Sequence, residues 1–322
     1  MVLGMARDRR CRCAVQVTEG SRVIRFFFGL SVVLLAGSLA SAQQEPSHYP
    51  AGAEGLKAAT LPPPGTYLKW YNIVYTASTL RDADGNAAPV GLDLDVFATA
   101  PRFIKLTEHK FLGADYGMDV LIPFLNVDLQ VAAAGVDQSK FGLGDILVEP
   151  VLLGWHYEQW DLAAAAAVWC PTGDFSSTNP IHIGKGFWTG MFTAGATYYF
   201  DEDKTWHLSA LGRYETNSTK KDLDLRPGDD FHIEWGLGKT LGKTKSWNVG
   251  LTAYTHWQVT DDGGSAATYD TSVHDRFYSL GPEVLYFCAP HKSFFSLRYQ
   301  REFGAIDRPE GHNTVISYTK IF

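Results

Sequence analysis

Twelve segments of this chain alternate between unlike residues with a period of two, and the connections between them alternate long and short. The segments are 66–76, 91–103, 111–123, 143–155, 160–170, 187–200, 206–217, 230–241, 247–259, 276–288, 293–303 and 312–322. A period of two puts successive side chains on opposite faces of a β-strand. The long connections are 77–90, 124–142, 171–186, 218–229, 260–275 and 304–311. The short ones are Thr107–Lys110, His156–Gln159, Asp201–Thr205, Gly242–Ser246 and Ala289–Lys292. A soluble sandwich has no cause to sort its loops this way, whereas an outer-membrane barrel has short periplasmic turns and longer outer loops. The pattern predicts a transmembrane antiparallel β-barrel of about 12 strands over residues 66–322, one domain with both termini periplasmic.

The ends of the chain agree. Arg22 and Arg25 precede an apolar run from Phe26 to Leu39, followed by Ala40-Ser41-Ala42, a small-x-small cleavage site. Residues 1–42 read as a secretory signal peptide. The stretch before Arg22 is longer than such a peptide needs, which leaves room for a translation start downstream of Met1. At the other end, Phe322 closes an alternating run with Ile316 and Tyr318 in phase and Lys320 out of character. Removing the signal segment takes six Arg and two acids from 28 basic and 35 acidic residues, leaving a mature net charge of −11. An acidic exported chain is a poor match to nucleic acid, which calls for basic surface. No mature segment approaches the roughly 18–20 apolar residues of a spanning helix, so a membrane form must be a closed barrel. Cys11 and Cys13 leave with the signal peptide. Cys170 and Cys288 remain, expected at opposite rims of the barrel and unbonded.

The strand faces predict the lumen. In 206–215 one face is Trp206, Leu208, Ala210, Gly212 and Tyr214; the other is His207, Ser209, Leu211, Arg213 and Glu215. The first suits lipid and the second a polar interior. Carried along the other strands, parity places Asp93, Asp95, Asp115, Asp119, Asp145, Glu149, Glu234, His256, Glu283, Arg298 and Glu302 inside as well. Ten acids against Arg213 and Arg298 would favour cations or neutral solutes in any pore. Eight strands leave a filled interior and sixteen an open one, so these charges read either as a pore lining or as a network that seals the barrel. Strands 66–76 and 160–170 are ambiguous in facing, since Ala163–Ala167 is apolar on both sides. Residues 43–65, rich in Gly and Pro, read as a periplasmic tail or a lumen plug.

Motifs for chemistry fall away on inspection. Gly238-Lys239-Thr240 resembles the end of a phosphate loop, but the glycine required five residues earlier is Ile233. Asp82-Ala-Asp84-Gly-Asn86 spaces oxygen ligands as calcium loops do, but the sixth position is Ala87, and a tight turn on Asp84-Gly85 accounts for it. Asn217-Ser-Thr219 matches a glycosylation acceptor without meaning in a bacterial envelope. Ser209 and His207 lack a nucleophile-elbow context. His182, His274 and His312 lie in loops near Asp174, Asp275 and Asp307 without catalytic or metal spacing. We therefore expect no enzyme, catalytic residue, metal or cofactor.

From about His48 to Phe322 the chain resembles a family of bacterial envelope proteins tied to the meta-pathway of phenol degradation, also described as outer-membrane transporters of that pathway. The resemblance rests on His48-Tyr-Pro-Ala-Gly-Ala-Glu-Gly55, Leu61-Pro-Pro-Pro-Gly65, Gly142-Leu-Gly-Asp145 through Glu149-Pro150 to Gly154-Trp155, and Pro171-Thr-Gly-Asp174. It continues in Pro227-Gly-Asp-Asp-Phe-His232, Gly281-Pro282 and Tyr299-Gln-Arg-Glu-Phe-Gly304. It implies an outer-membrane channel for passive uptake of small solutes, aromatic or hydrophobic. The partners expected are outer-membrane lipid, a small-molecule solute and the barrel-assembly machinery. A structural or adhesive barrel without a pore is the alternative, and an outer-membrane hydrolase a more distant one.

Overall fold

The computed structural model describes residues 47–322 apart from positions 51 and 180. The expected signal peptide lies outside the described residues. Fifteen strands make one sheet: β1 (Gly65–Arg81), β2 (Ala87–Ala88), β3 (Leu92–Phe111), β4 (Ala114–Leu121), β5 (Phe124–Val131), β6 (Val136–Leu143), β7 (Ile146–His156), β8 (Trp160–Cys170), β9 (Thr189–Tyr199), β10 (Trp206–Asn217), β11 (Asp230–Leu241), β12 (Trp247–Gln258), β13 (Arg276–Cys288), β14 (Ser293–Ile306) and β15 (Pro309–Ile321). No described helix is long and apolar enough to cross a membrane.

The sheet closes on itself. β1 pairs with β15 from Tyr67↔Ile321 to Leu80↔Pro309 and with β3 from Gly65↔Leu106 to Ala77↔Leu94. From β3 the ring runs through β4 and β7 to β15 in chain order, every pair antiparallel. It has twelve staves, because β2 is a two-residue strand folded back on the end of β1, and β5 and β6 continue β4 and β7 beyond two breaks. The first break is at Ile122-Pro123, where Pro123 has no N–H for a ladder. The second is at Gly144-Asp145, and Gly144 N donates to Pro123 O at 2.8 Å.

Above these breaks the β5–β6 hairpin rises from the wall. β5 pairs along Leu92–Thr99 of β3, and β6 pairs with β5 and ends the sheet order. The wall therefore has a step beside Asp145: below it β7 is paired on both sides, above it β6 is paired on one. The stretch 124–142, expected as a loop, is largely this hairpin. The expected loop 304–311 is reduced to Asp307-Arg308 between β14 and β15. The expected turn at 107–110 lies inside β3, and the chain reverses at Leu112-Gly113. Both carry positive φ (52° and 79°), as a two-residue hairpin turn requires.

The outward face is apolar at mid-height, with Phe192, Leu251, Leu280, Leu297 and Ile316 each about half exposed. Aromatic pairs ring both ends. Trp160–Tyr198, Trp247–Tyr286 and Phe295–Tyr318 stand at the short-turn end; Phe231–Trp257 and Tyr278–Phe303 stand at the long-loop end. An apolar band between aromatic girdles is the outer surface of a membrane barrel. Cys170 closes β8 and Cys288 closes β13, and both are free.

Twelve of the expected inward residues are buried on the lumen side: Asp115, Asp119, Asp145, Glu149, His207, Arg213, Glu215, Glu234, His256, Glu283, Arg298 and Glu302. Asp93 and Asp95 are not, and their expected facing is reversed. In β3 the inward set is Leu92, Leu94, Val96, Ala98, Ala100 and Arg102, in step with Arg102, whose guanidinium meets Asp119 across the lumen wall. Asp93 and Asp95 point outward and are exposed. They lie beyond Phe97, the last exposed apolar residue on that face, on the stretch paired with the raised hairpin.

Candidate functional site

The described residues before β1 lie inside the barrel. Their backbone is clamped by lumen carboxylates: Tyr49 N donates to Glu215 Oε1 (3.1 Å), Glu54 N to Glu234 Oε1 (2.7 Å) and Leu56 N to Glu283 Oε2 (2.7 Å). Ala59 N donates to Ser209 Oγ at 3.2 Å. Arg298 donates to the carbonyls of Gly52 and Glu54 while holding Glu283 at 3.2 Å. Tyr49 sends its hydroxyl to Glu234 Oε2 (2.9 Å), and Arg213, itself paired with Glu234, covers the Tyr49 ring at 3.9 Å. Buried carboxylates thus meet peptide N–H groups and guanidinium groups, which is how charge survives burial.

Glu54 reciprocates from the segment. Its Oε2 accepts from Lys69 Nζ (2.5 Å), and its Oε1 from Tyr71 Oη (2.5 Å) and Arg102 Nη1 (3.3 Å). Burial pushes its carboxyl up, but Lys69 and Arg102 beside it bring the pKa down to about 2. Glu54 therefore stays ionised where ordinary carboxylates protonate. Arg102 also binds Asp119 through two nitrogens (2.8 and 2.7 Å) and Glu149 (2.6 Å), so one guanidinium joins the segment to two staves.

The segment fits because it is thin where the wall is close. At Gly52 (φ 67°) a Cβ would overlap the Gln300 side chain, and at Gly55 it would overlap Glu283 and Arg298. Leu56 sits over Gly236, Gly238 and Gly250, so the glycine of the phosphate-loop look-alike is a seat for a side chain. Gly55→Val is expected to dislodge the segment and leave the barrel folded. In planar bilayers it should raise conductance several-fold over wild type, with unchanged heat-modifiable migration on gels.

Asp145 is where the segment meets the step in the wall. It accepts from His48 Nε2 (2.9 Å), Gly173 N (2.9 Å) and Lys185 N (2.8 Å). His48 also meets Thr189 at 2.8 Å and stacks on Trp169. Three of the motifs carrying the resemblance, around His48, Asp145 and Gly173, converge on this carboxylate.

Between the segment and the wall runs a cavity of about 630 Å³. Leu121, Leu147, Trp169, Ile183, Met191 and Leu211 line it, with Ala163 and Ala165 leaving room on β8. It reaches from the level of His48 and the wall step to Trp247, Phe287 and Phe294 near the short-turn end.

Sequence reasoning missed the lumen bases Lys69, Arg102 and Arg308 and the segment's Glu54. Lys69 is the only charge between Thr66 and Thr79 in β1; read as inward, it would have set the facing of that strand. These bases pair with lumen carboxylates, while Asp161, Asp230 and Asp275 are buried acids that the strand-face reading also left out, so acids still outnumber bases inside. The remaining expected residues serve pairs: His207 meets Asn248 (3.2 Å), His256 meets Asp275 (2.9 Å), Glu302 accepts from Tyr75 (2.8 Å), and Asp115 pairs with Lys110.

The sequence model of a family described as the MetA pathway of phenol degradation matches residues 77–318. No curated protein matches the chain. The crystal structure of the COG4313 outer membrane channel from Pseudomonas putida F1 superposes with a TM-score of 0.72 at 13% identity, covering 87% of this chain and 100% of that one. The translocator domain of the autotransporter NalP from Neisseria meningitidis has a TM-score of 0.48 at 8% identity, over 94% of this chain and 98% of that one. The β domain of the Bordetella autotransporter BrkA has 0.47 at 12% identity, over 80% and 99%. The first of these likenesses shows the fold, a closed twelve-stranded antiparallel barrel.

Proposed function

The chain belongs to the phenol-degradation family whose model it matches, and from that premise we propose that it is an outer-membrane channel for small apolar, aromatic solutes. The observation that carries this reading is the cavity of about 630 Å³ between the barrel and the N-terminal segment, whose walls are mostly aliphatic and aromatic with paired charges such as Glu54, Arg102 and Glu283 among them. Ligand sites are concave, mostly apolar and fitted with a few polar groups. A hydrated ion crossing here would meet carboxylates and guanidinium groups already bound to one another and to the segment, which disfavours a general porin. The structural likeness to a protein called an outer membrane channel supports the same class.

In this reading the barrel lies in the bacterial outer membrane, with the short turns and both chain termini on the periplasmic side. The segment acts as a plug, and passive transport runs along the cavity beside it. The chain moves solute without transforming it, and the inward charges hold the plug. Binding within the cavity tests the proposal. Ala165 lines the cavity from β8 and is half-buried, so Ala165→Phe should fill the space without touching the charge network. Calorimetric titration of wild type in detergent with a monoaromatic hydrocarbon should show saturable binding that the variant weakens about tenfold or more. Equal affinity in the two would place the solute elsewhere.

A further inference from the structure

At the long-loop end, apart from the cavity, three adjacent strands bring one imidazole and two carboxylates together. Asp230 opens β11, His256 lies near the end of β12, and Asp275 immediately precedes β13. Gln258 N donates to Asp275 O at 3.0 Å, fixing the two strand ends against each other. His256 Nε2 lies 2.9 Å from Asp275 Oδ1 and 3.5 Å from Asp230 Oδ1, and a ligand atom of each residue lies within 4.8 Å of the other two. All three are buried, at 4%, 0% and 5% exposure for Asp230, His256 and Asp275.

The neighbours orient these groups as outer partners orient metal ligands. His232 Nε2 lies 3.1 Å from Glu215 Oε2, which can only accept, so that nitrogen carries the proton. His232 Nδ1 is then an acceptor, and it faces His256 Nδ1 at 3.0 Å and the Tyr254 hydroxyl at 2.6 Å. The Tyr254 hydroxyl also reaches that lone pair, and by the same accept-only rule His256 Nε2 donates its proton to Asp275 Oδ1, a proton that a divalent ion binding there would displace. Arg308 holds the far oxygen of Asp275 at 2.8 Å, so Oδ1 turns to the imidazole. Three potential metal ligands converge, and His232 and Arg308 hold the imidazole and Asp275 in place around them.

We propose that Asp230, His256 and Asp275 bind one divalent transition-metal ion of the zinc class, tying the outer ends of β11, β12 and β13 together. One nitrogen and two oxygens suit such an ion with an open position for water. Calcium asks for six to eight oxygens, which this site does not offer. A separate pocket of about 400 Å³, lined by Gln258, His274, Asp275 and Arg276 among others, borders the site at Asp275.

The test uses the full-length, tag-free protein in detergent, stripped with chelator, loaded with zinc sulfate, desalted and assayed by elemental mass spectrometry. The wild type should retain about one zinc per chain. Asp230→Asn and His256→Gln should each retain less than about a tenth of that, while His274→Ala, at the mouth of the pocket, should retain the full amount. Cobalt loading of the wild type should give the visible absorption of a low-symmetry site, lost in Asp230→Asn. Zinc should also raise the temperature at which the wild-type barrel converts to its slower gel form, a shift absent in Asp230→Asn. A wild type that keeps no zinc overturns the proposal whatever the variants do. So does zinc retained in full by a folded Asp230→Asn/His256→Gln double variant.

Discussion

Deleting residues 43–64 is expected to raise single-channel conductance roughly tenfold, because a twelve-stranded barrel without its filling lies well above the eight-stranded size that side chains alone can close. The segment occupies the lumen through its backbone. Glu215, Glu234 and Glu283 accept three of its N–H groups, and Arg298 donates to two of its carbonyls. Removing it withdraws those donors and leaves carboxylates facing water that enters in their place, a change the ring of paired strands can survive. Planar-bilayer recordings of wild type and deletion decide the matter. Equal conductance would mean that the segment does not obstruct the path. The wild-type channel should also be noisy on the same recordings, since the segment is held by hydrogen bonds and ion pairs rather than by a covalent link.

Arg102→Ala is expected to destabilise the barrel by about 3–5 kcal/mol, the cost of leaving buried charges without their partner. Arg102 is the sole cation in contact with both Asp119 and Glu149 among the described ion pairs, and it also reaches Glu54. Its loss leaves two buried wall carboxylates facing each other across β4 and β7, where Asp119 and Glu149 are register partners. The urea midpoint in detergent micelles should fall sharply. Adding Asp119→Asn and Glu149→Gln to Arg102→Ala should recover much of the loss, because the repelling charges are then gone. A single variant as stable as wild type would show that water solvates this site and that the cluster is not buried in solution.

The barrel was legible in the sequence because its membrane faces must alternate. Strands such as 160–170, 206–217, 230–241 and 276–288 fall where the period of two puts them. Parity failed at Asp93 and Asp95 because it was tied to a rule about lipid, and β3 outruns the lipid. The hairpin Phe124–Leu143 was read as a loop although Leu125, Val127, Leu129 and Val131 alternate with Asn126, Asp128 and Gln130 in β5; its partner β6, Val136–Leu143, carries polar residues at half its positions and no such stripe. The lumen was half legible. Strand alternation placed Glu215, Glu234 and Glu283 inside, but no local pattern could say that their partners are peptide groups of residues 49–56. Those contacts span well over a hundred residues of chain and rest on Gly52 and Gly55, whose purpose shows only against the wall. The motif His48–Gly55 was visible as a mark of resemblance long before it had a physical reason.

Uptake of a matched pair of solutes tests the channel most directly. Cells lacking their general porins, with and without this chain in the outer membrane, would be given labelled phenol or labelled glycerol and the initial rates compared. A channel built around the apolar cavity predicts that the chain raises the phenol rate several-fold, leaves the glycerol rate near background, and loses the phenol gain with Ala165→Phe. A glycerol rate raised as much as the phenol rate, or a phenol rate indifferent to the chain, would contradict it.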